Sequence, residues 1–111
     1  MSLYIEHPIT GEQIQVAESD FPDKMTWDQA MSACAGLGNG WRLPNQEELE
    51  AMYLQLHKQG KGNFKEVFYW SSLQGNSGSA WVVYFFNGDV YDGYSFGKFH
   101  DRAQVRAVRA L

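Results

Sequence analysis

The spacing of apolar positions changes period twice along this 111-residue chain, and each change predicts a change of element. Residues 4–16 alternate with period two around Pro8 and Thr10-Gly11, which predicts two short strands joined by a turn. Residues 18–25 are polar, contain Pro22 and predict a loop. From Thr26 the period becomes helical. Trp27, Ala30, Met31 and Cys34 fall at i, i+3, i+4 and i+7, so they are expected to share one buried face. Thr26 and Gln29 make a capping-box pair at the start, and Gly36 and Gly38 stop the helix.

The stretch Trp41-Arg42-Leu43-Pro44-Asn45 joins this helix to a second one. Pro44 disfavours helical backbone just before itself, so residues 41–43 are expected to be extended. Asn45 then caps the second helix and Glu48 completes its box. Leu49, Met52, Tyr53 and Leu56 form the apolar stripe, and Gly60 and Gly62 end the helix. Glu47, Glu48 and Glu50 lie near its positive end, and Lys58 and Lys61 near its negative end. The glycine run 36–40 follows a helix instead of opening one, which opposes a phosphate-loop reading.

Beyond residue 66 the period returns to that of strands. Residues 67–72 are rich in β-formers, and residues 74–79 read as a polar loop. Residues 80–86 are apolar on both faces and predict a central strand covered on both sides. Asn87-Gly88 is the strongest hairpin signal in the chain, and residues 89–94 are expected to return antiparallel. Residues 97–101 read as a connection and 104–111 as a last strand. The order strands, helix, helix, strands predicts an α+β fold with two helices packed on a mostly antiparallel sheet.

Composition narrows the function classes. A hydrophobic fraction of 44% and an aromatic fraction of 15% supply a real core, and the length suits a single domain spanning residues 1–111. Net charge is −4 without a basic stripe, which argues against nucleic acid, and no apolar run approaches the roughly 20 residues of a membrane insertion. Cys34 is the one cysteine, so no intrachain disulfide can form. Met1-Ser2-Leu3 carries no signal peptide and is compatible with an expression scar.

Several motifs together carry a family resemblance. They are residues 25–30 (Met-Thr-Trp-Asp-Gln-Ala) with Cys34, residues 40–44 (Gly-Trp-Arg-Leu-Pro) with Glu48-Leu49, residues 69–72 (Tyr-Trp-Ser-Ser), Ala80-Trp81, and residues 105–109 (Val-Arg-Ala-Val-Arg). In this order the chain resembles a bacterial family of unknown function typified by the C-terminal domain of a collagen-like adhesin. The resemblance implies a C-type-lectin-like scaffold whose N- and C-terminal strands pair, with long loops in the C-terminal half. It further implies a cell-surface, secreted or phage-associated module. The chain lacks the disulfide cysteines and the Glu-Pro-Asn and Trp-Asn-Asp motifs of animal C-type lectins. The related formylglycine-generating enzymes rely on reactive cysteines, which a lone Cys34 on a buried helix face does not match.

The candidate site follows from these readings. Residues 74–100 are rich in Tyr, Ser, Asn and Gly, the composition of adaptable binding loops. Within and beside them we single out Trp70, Asn76, Asn87, Asp89, Tyr91, Asp92, Tyr94, Phe96 and His100 as ligand-contacting candidates. Trp70, Tyr91 and Tyr94 would be stacking anchors, and Trp70 is the tryptophan least readily assigned to core. Arg42, Glu48, Trp41 and Trp81 are expected to be structural, with Arg42 paired to a carboxylate of the second helix, Glu48 first. Arg106 and Arg109 receive the same structural reading. His7, His57 and His100 lack metal-ligand spacing, and no catalytic residue is assigned. No cofactor is expected, calcium being the one ion that Asn87, Asp89, Asp92 and Asp101 oxygens would suit. The expectation is a non-enzymatic module for a glycan or protein ligand. The alternative is a structural part of a larger surface or phage-tail-like assembly.

Overall fold

The computed structural model describes residues 2–75, 78–91 and 102–111. Its elements are β1 (Leu3–Glu6), β2 (Gln13–Val16), α1 (Trp27–Ala35), α2 (Gln46–Gln55), β3 (Phe68–Gln74), β4 (Ala80–Tyr84), β5 (Asp89–Tyr91) and β6 (Val108–Ala110), with a 3-10 turn over His57–Gln59. The fold is α+β, as the order of periodicities predicts. Among the described residues the expected single sheet is instead two three-stranded antiparallel sheets, β1-β2-β6 and β3-β4-β5. The terminal strands share a sheet through β2: Ile14 lies opposite Ile5 on β1 and Ala110 on β6.

The last strand is also shorter than its sequence pattern. Regular pairing covers Val108–Ala110, while the residues before it exchange partners one by one. On one side Ala17 N, Phe21 N and Met25 N donate to the carbonyls of Ala107, Val105 and Ala103. On the other, Trp70 N donates to Gln104 O and Gln104 N to Phe68 O, a parallel bridge that links Tyr69 with Gln104. Residues 103–107 are therefore a seam between the 17–25 strap and β3, which is why one sheet becomes two.

Both helices begin as their sequences dictate. Thr26 N donates to Gln29 Oε1 at 3.0 Å at the start of α1. Glu48 N donates to Asn45 Oδ1, and Asn45 N to Glu48 Oε1, both at 2.9 Å, at the start of α2. Trp27, Ala30 and Cys34 are buried, but Met31 is exposed. At 100° per residue Met31 sits on the edge of the α1 stripe, beyond the width that the core covers.

Strand β4 is covered on both faces, as its doubly apolar sequence requires. Tyr69 faces Val83 and Trp70 faces Val82 across the β3–β4 pair, so consecutive pairs point to opposite sides. Tyr69, Val83 and Phe85 pack with Leu49, Met52 and Leu56 of the α2 region and with Ile5, Ile14 and Val16. Trp70 and Val82 pack with Trp27, Ala30 and Cys34 of α1 and with Ala103, Val105 and Ala107 of the seam. The sheet end that carries β5 is thus fixed from both sides.

Candidate functional site

Two arginine centres hold the frame on which the candidate site is built. Arg42 Nη1 and Nη2 donate to Glu48 Oε1 and Oε2 at 2.6 and 2.7 Å, a two-pronged pair with the expected helix-two acid. Glu48 is buried, and burial alone would raise its carboxyl; the Arg42 hydrogen bonds and the Asn45 amide outweigh that and hold it below its ordinary range. The same bonds push Arg42 further up. The carboxylate thus both caps α2 and fixes the preceding extended stretch, where Arg42 also exchanges backbone hydrogen bonds with Val108.

The second centre joins residues far apart in the chain. Arg106 is 1% exposed; its Nε donates to Asp20 Oδ1 at 2.7 Å, Nη1 to Ala17 O at 3.0 Å and Nη2 to Gly62 O at 2.8 Å. Its guanidinium carbon lies 4.0 Å from the centre of the Phe64 ring. Tyr69 OH donates to the other Asp20 oxygen at 2.7 Å and accepts from Lys65 N. Burial and the Asp20 bond push the Tyr69 phenol far up, so it stays protonated. Arg109 Nε donates to Gln15 Oε1 at 2.7 Å, and its guanidinium lies over the Trp41 ring at 4.8 Å. Arg106 is buried, Arg109 is half-buried and the Arg42 side chain is 42% exposed, and each makes its described bonds to groups of the same domain. Trp41 and Trp81 are half-buried.

The candidate site is the hairpin formed by β4 and β5. Phe85 is buried against Tyr53, Phe64 and Tyr69, with the Tyr53 ring edge-on at 5.6 Å. Phe86, the next residue, points the other way and is 61% exposed. It lies 5.8 Å from Tyr84, which stacks on Phe68 at 4.5 Å; Tyr91 meets Phe68 edge-on at 5.5 Å. The result is a row of aromatic rings leading to the hairpin tip. At the tip Asp89 N donates to Asn87 Oδ1 and Asn87 Nδ2 to Asp89 Oδ2, both at 3.0 Å. Gly88 has φ of +81°, and a Cβ there would meet the Tyr53 ring at 2.6 Å, so α2 holds the turn from below.

The structure brings Asn87, Asp89 and Tyr91 together on this hairpin, with Asn87 and Asp89 exposed and Tyr91 half-buried. Trp70 is a correction. It is 0% exposed and its indole N–H donates to Met25 O at 2.7 Å, so it offers no face to a ligand. The reason is topological: β3 pairs with β4 on one edge and meets the seam on the other, which covers what the sequence shows only as a β-rich run. Asn76, Asp92, Tyr94, Phe96 and His100 lie outside the described residues, as does Asp101. Sequence reasoning passed over Phe68, Tyr84 and Phe86. Residues 80–86 read as a strand covered on both sides, but the strand ends at Tyr84 and Phe86 lies in the turn beyond it, where it is left exposed.

Other chemistry is confined by burial. Cys34 is fully buried, and burial pushes its thiol up to about 12, which leaves almost no thiolate near neutral pH. Ser71 is buried with its Oγ donating to Trp81 O. Among the described residues no group of three His, Cys, Asp or Glu side chains could hold a metal, and no helix is long and apolar enough to cross a membrane.

These features define a small α+β domain with arginine-pinned connections and an aromatic hairpin. The model of the family described as the Lcl C-terminal domain matches residues 11–109, nearly the whole chain, and the protein belongs to that family. Comparison with curated proteins finds no match.

Proposed function

We propose that this domain is a non-enzymatic recognition module on a C-type-lectin-like frame, binding a glycan or protein ligand through the β4–β5 hairpin and the surrounding residues 74–100. The observation that carries this reading is Phe86, a large ring 61% exposed at the end of an aromatic row, next to the exposed polar pair Asn87 and Asp89. An exposed ring beside carboxylate and amide oxygens suits the C–H face and hydroxyls of a sugar, or the mixed surface of a protein anchor. The tip is preorganised by Gly88 over Tyr53, which lowers the ordering cost of binding. The inaccessible, high-pKa thiol of Cys34 supports a reading without covalent catalysis.

Binding is tested by screening the purified domain on glycan and protein arrays, with and without calcium, beside Phe86→Ser and Asp89→Asn. The expected result is a ligand lost with Phe86→Ser. A ligand retained by both variants places the site elsewhere. No ligand on any array, with a change in solution mass on Phe86→Ser, favours the assembly role.

A further inference from the structure

A second surface lies away from the hairpin, between the β1–β2 turn and the outer face of α2. It is a groove of about 340 Å³ lined by Pro8, Ile9, Glu47, Glu50, Ala51, Leu54 and Gln55. Ile9 is 75% exposed and Leu54 54% exposed, so two aliphatic side chains face water on opposite walls.

Both walls are held in place. In the turn, His7 N donates to Glu12 O at 2.8 Å and Gly11 N to His7 O at 2.9 Å. His7 Nδ1 accepts from Ile9 N and Thr10 N at 3.1 and 3.3 Å, which fixes the loop that presents Ile9. Across the groove, the Gln55 side chain accepts from Glu6 N and donates to Glu6 O, both at 2.8 Å, and so ties α2 to the entry of the turn. An apolar groove whose walls are already rigid loses little freedom when it is filled.

The charged residues of the lining are both carboxylates, Glu47 and Glu50. The His7 ring lies beside them, with Nε2 3.7 Å from Glu47 Oε2. A second copy docked symmetrically on this face would set these carboxylates against themselves, on a chain whose net charge is already −4. An anionic lipid surface meets the same repulsion. We infer that this groove docks a cationic peptide segment of a partner protein, one that seats an aliphatic anchor between Ile9 and Leu54 and places Lys or Arg against Glu47 and Glu50. The surface is independent of the aromatic hairpin.

The test uses the whole domain and a capped probe peptide, acetyl-Lys-Lys-Leu-Leu-Lys-amide, followed by methyl and amide NMR. Saturable shifts are expected at Ile9, Ala51 and Leu54, absent with the peptide in which Glu replaces Lys. Glu47→Gln with Glu50→Gln should weaken binding about threefold to tenfold, as two screened surface pairs would. Ile9→Ser with Leu54→Ser should abolish it, the amide spectrum confirming the fold. Added salt should weaken binding to the unchanged protein, a reading independent of any variant. The inference is overturned if the shifts map elsewhere, if no saturable shift occurs, if affinity ignores both salt and the charge variant, or if the groove shifts track domain concentration and reveal self-association.

Discussion

Removing the guanidinium of Arg106 is the most demanding test of how this fold is held. Arg106→Met keeps much of the side-chain length and its apolar contact with Phe64, but deletes the three donors to Asp20, Ala17 O and Gly62 O. The Asp20 side chain is only 9% exposed, so the variant leaves a largely buried carboxylate with Tyr69 OH as its remaining side-chain donor and deprives two carbonyls of their Arg106 bonds. Breaking a buried pair from one side costs about 3–5 kcal/mol. Domains of this size are stable by about 5–15 kcal/mol in all, so the variant should lose a large share of its margin. With a urea slope of about 1–3 kcal/mol per molar, the midpoint should fall by roughly 2 M. Adding Asp20→Asn should return part of the loss, because no unpaired charge then remains. Urea unfolding followed by tryptophan fluorescence measures all three proteins. A loss below about 1 kcal/mol for Arg106→Met, or a double variant less stable than the single one, would refute the reasoning.

Two further outcomes follow from the same geometry. The Glu48 carboxyl is held below its ordinary value of 4.5, so its share of stability is full above that value and is lost as the pH falls through the lowered one. Melting curves from about pH 6 to pH 3 should therefore drop less steeply for Glu48→Gln than for the unchanged protein, and an equally steep acid limb would contradict the assignment. Gly88→Ala must adopt a φ of +81° and place its Cβ 2.6 Å from the Tyr53 ring; a loss of about 2 kcal/mol is expected, and thermal unfolding within about 0.5 kcal/mol of the parent would contradict it.

Local rules were legible in the chain wherever neighbours in sequence are neighbours in space. The Asn45–Glu48 box, the Arg42–Glu48 pair six residues apart, the glycine stops and the Asn87-Gly88 turn all involve partners within about two turns of helix or one hairpin. The Asp20–Arg106 pair was not legible, because its members are 86 positions apart and Asp20 reads as an ordinary loop acid. Trp70 was misjudged for the same reason: its cover comes from the 103–107 seam and the carbonyl of Met25, neither of which marks the β3 sequence itself.

By itself the sequence determined the succession of elements, their caps, the doubly covered β4 and the Arg42–Glu48 pair. Periodicity, capping and charge pairing act over a few residues and can be read in one dimension. Only the tertiary structure decided that there are two sheets instead of one, that β6 joins β2, that Trp70 is core, and that Phe86 and the Ile9–Leu54 groove face water. Those outcomes depend on which distant segment satisfies each backbone group and covers each apolar face. Such competition is settled by three-dimensional packing, and no local pattern records its result.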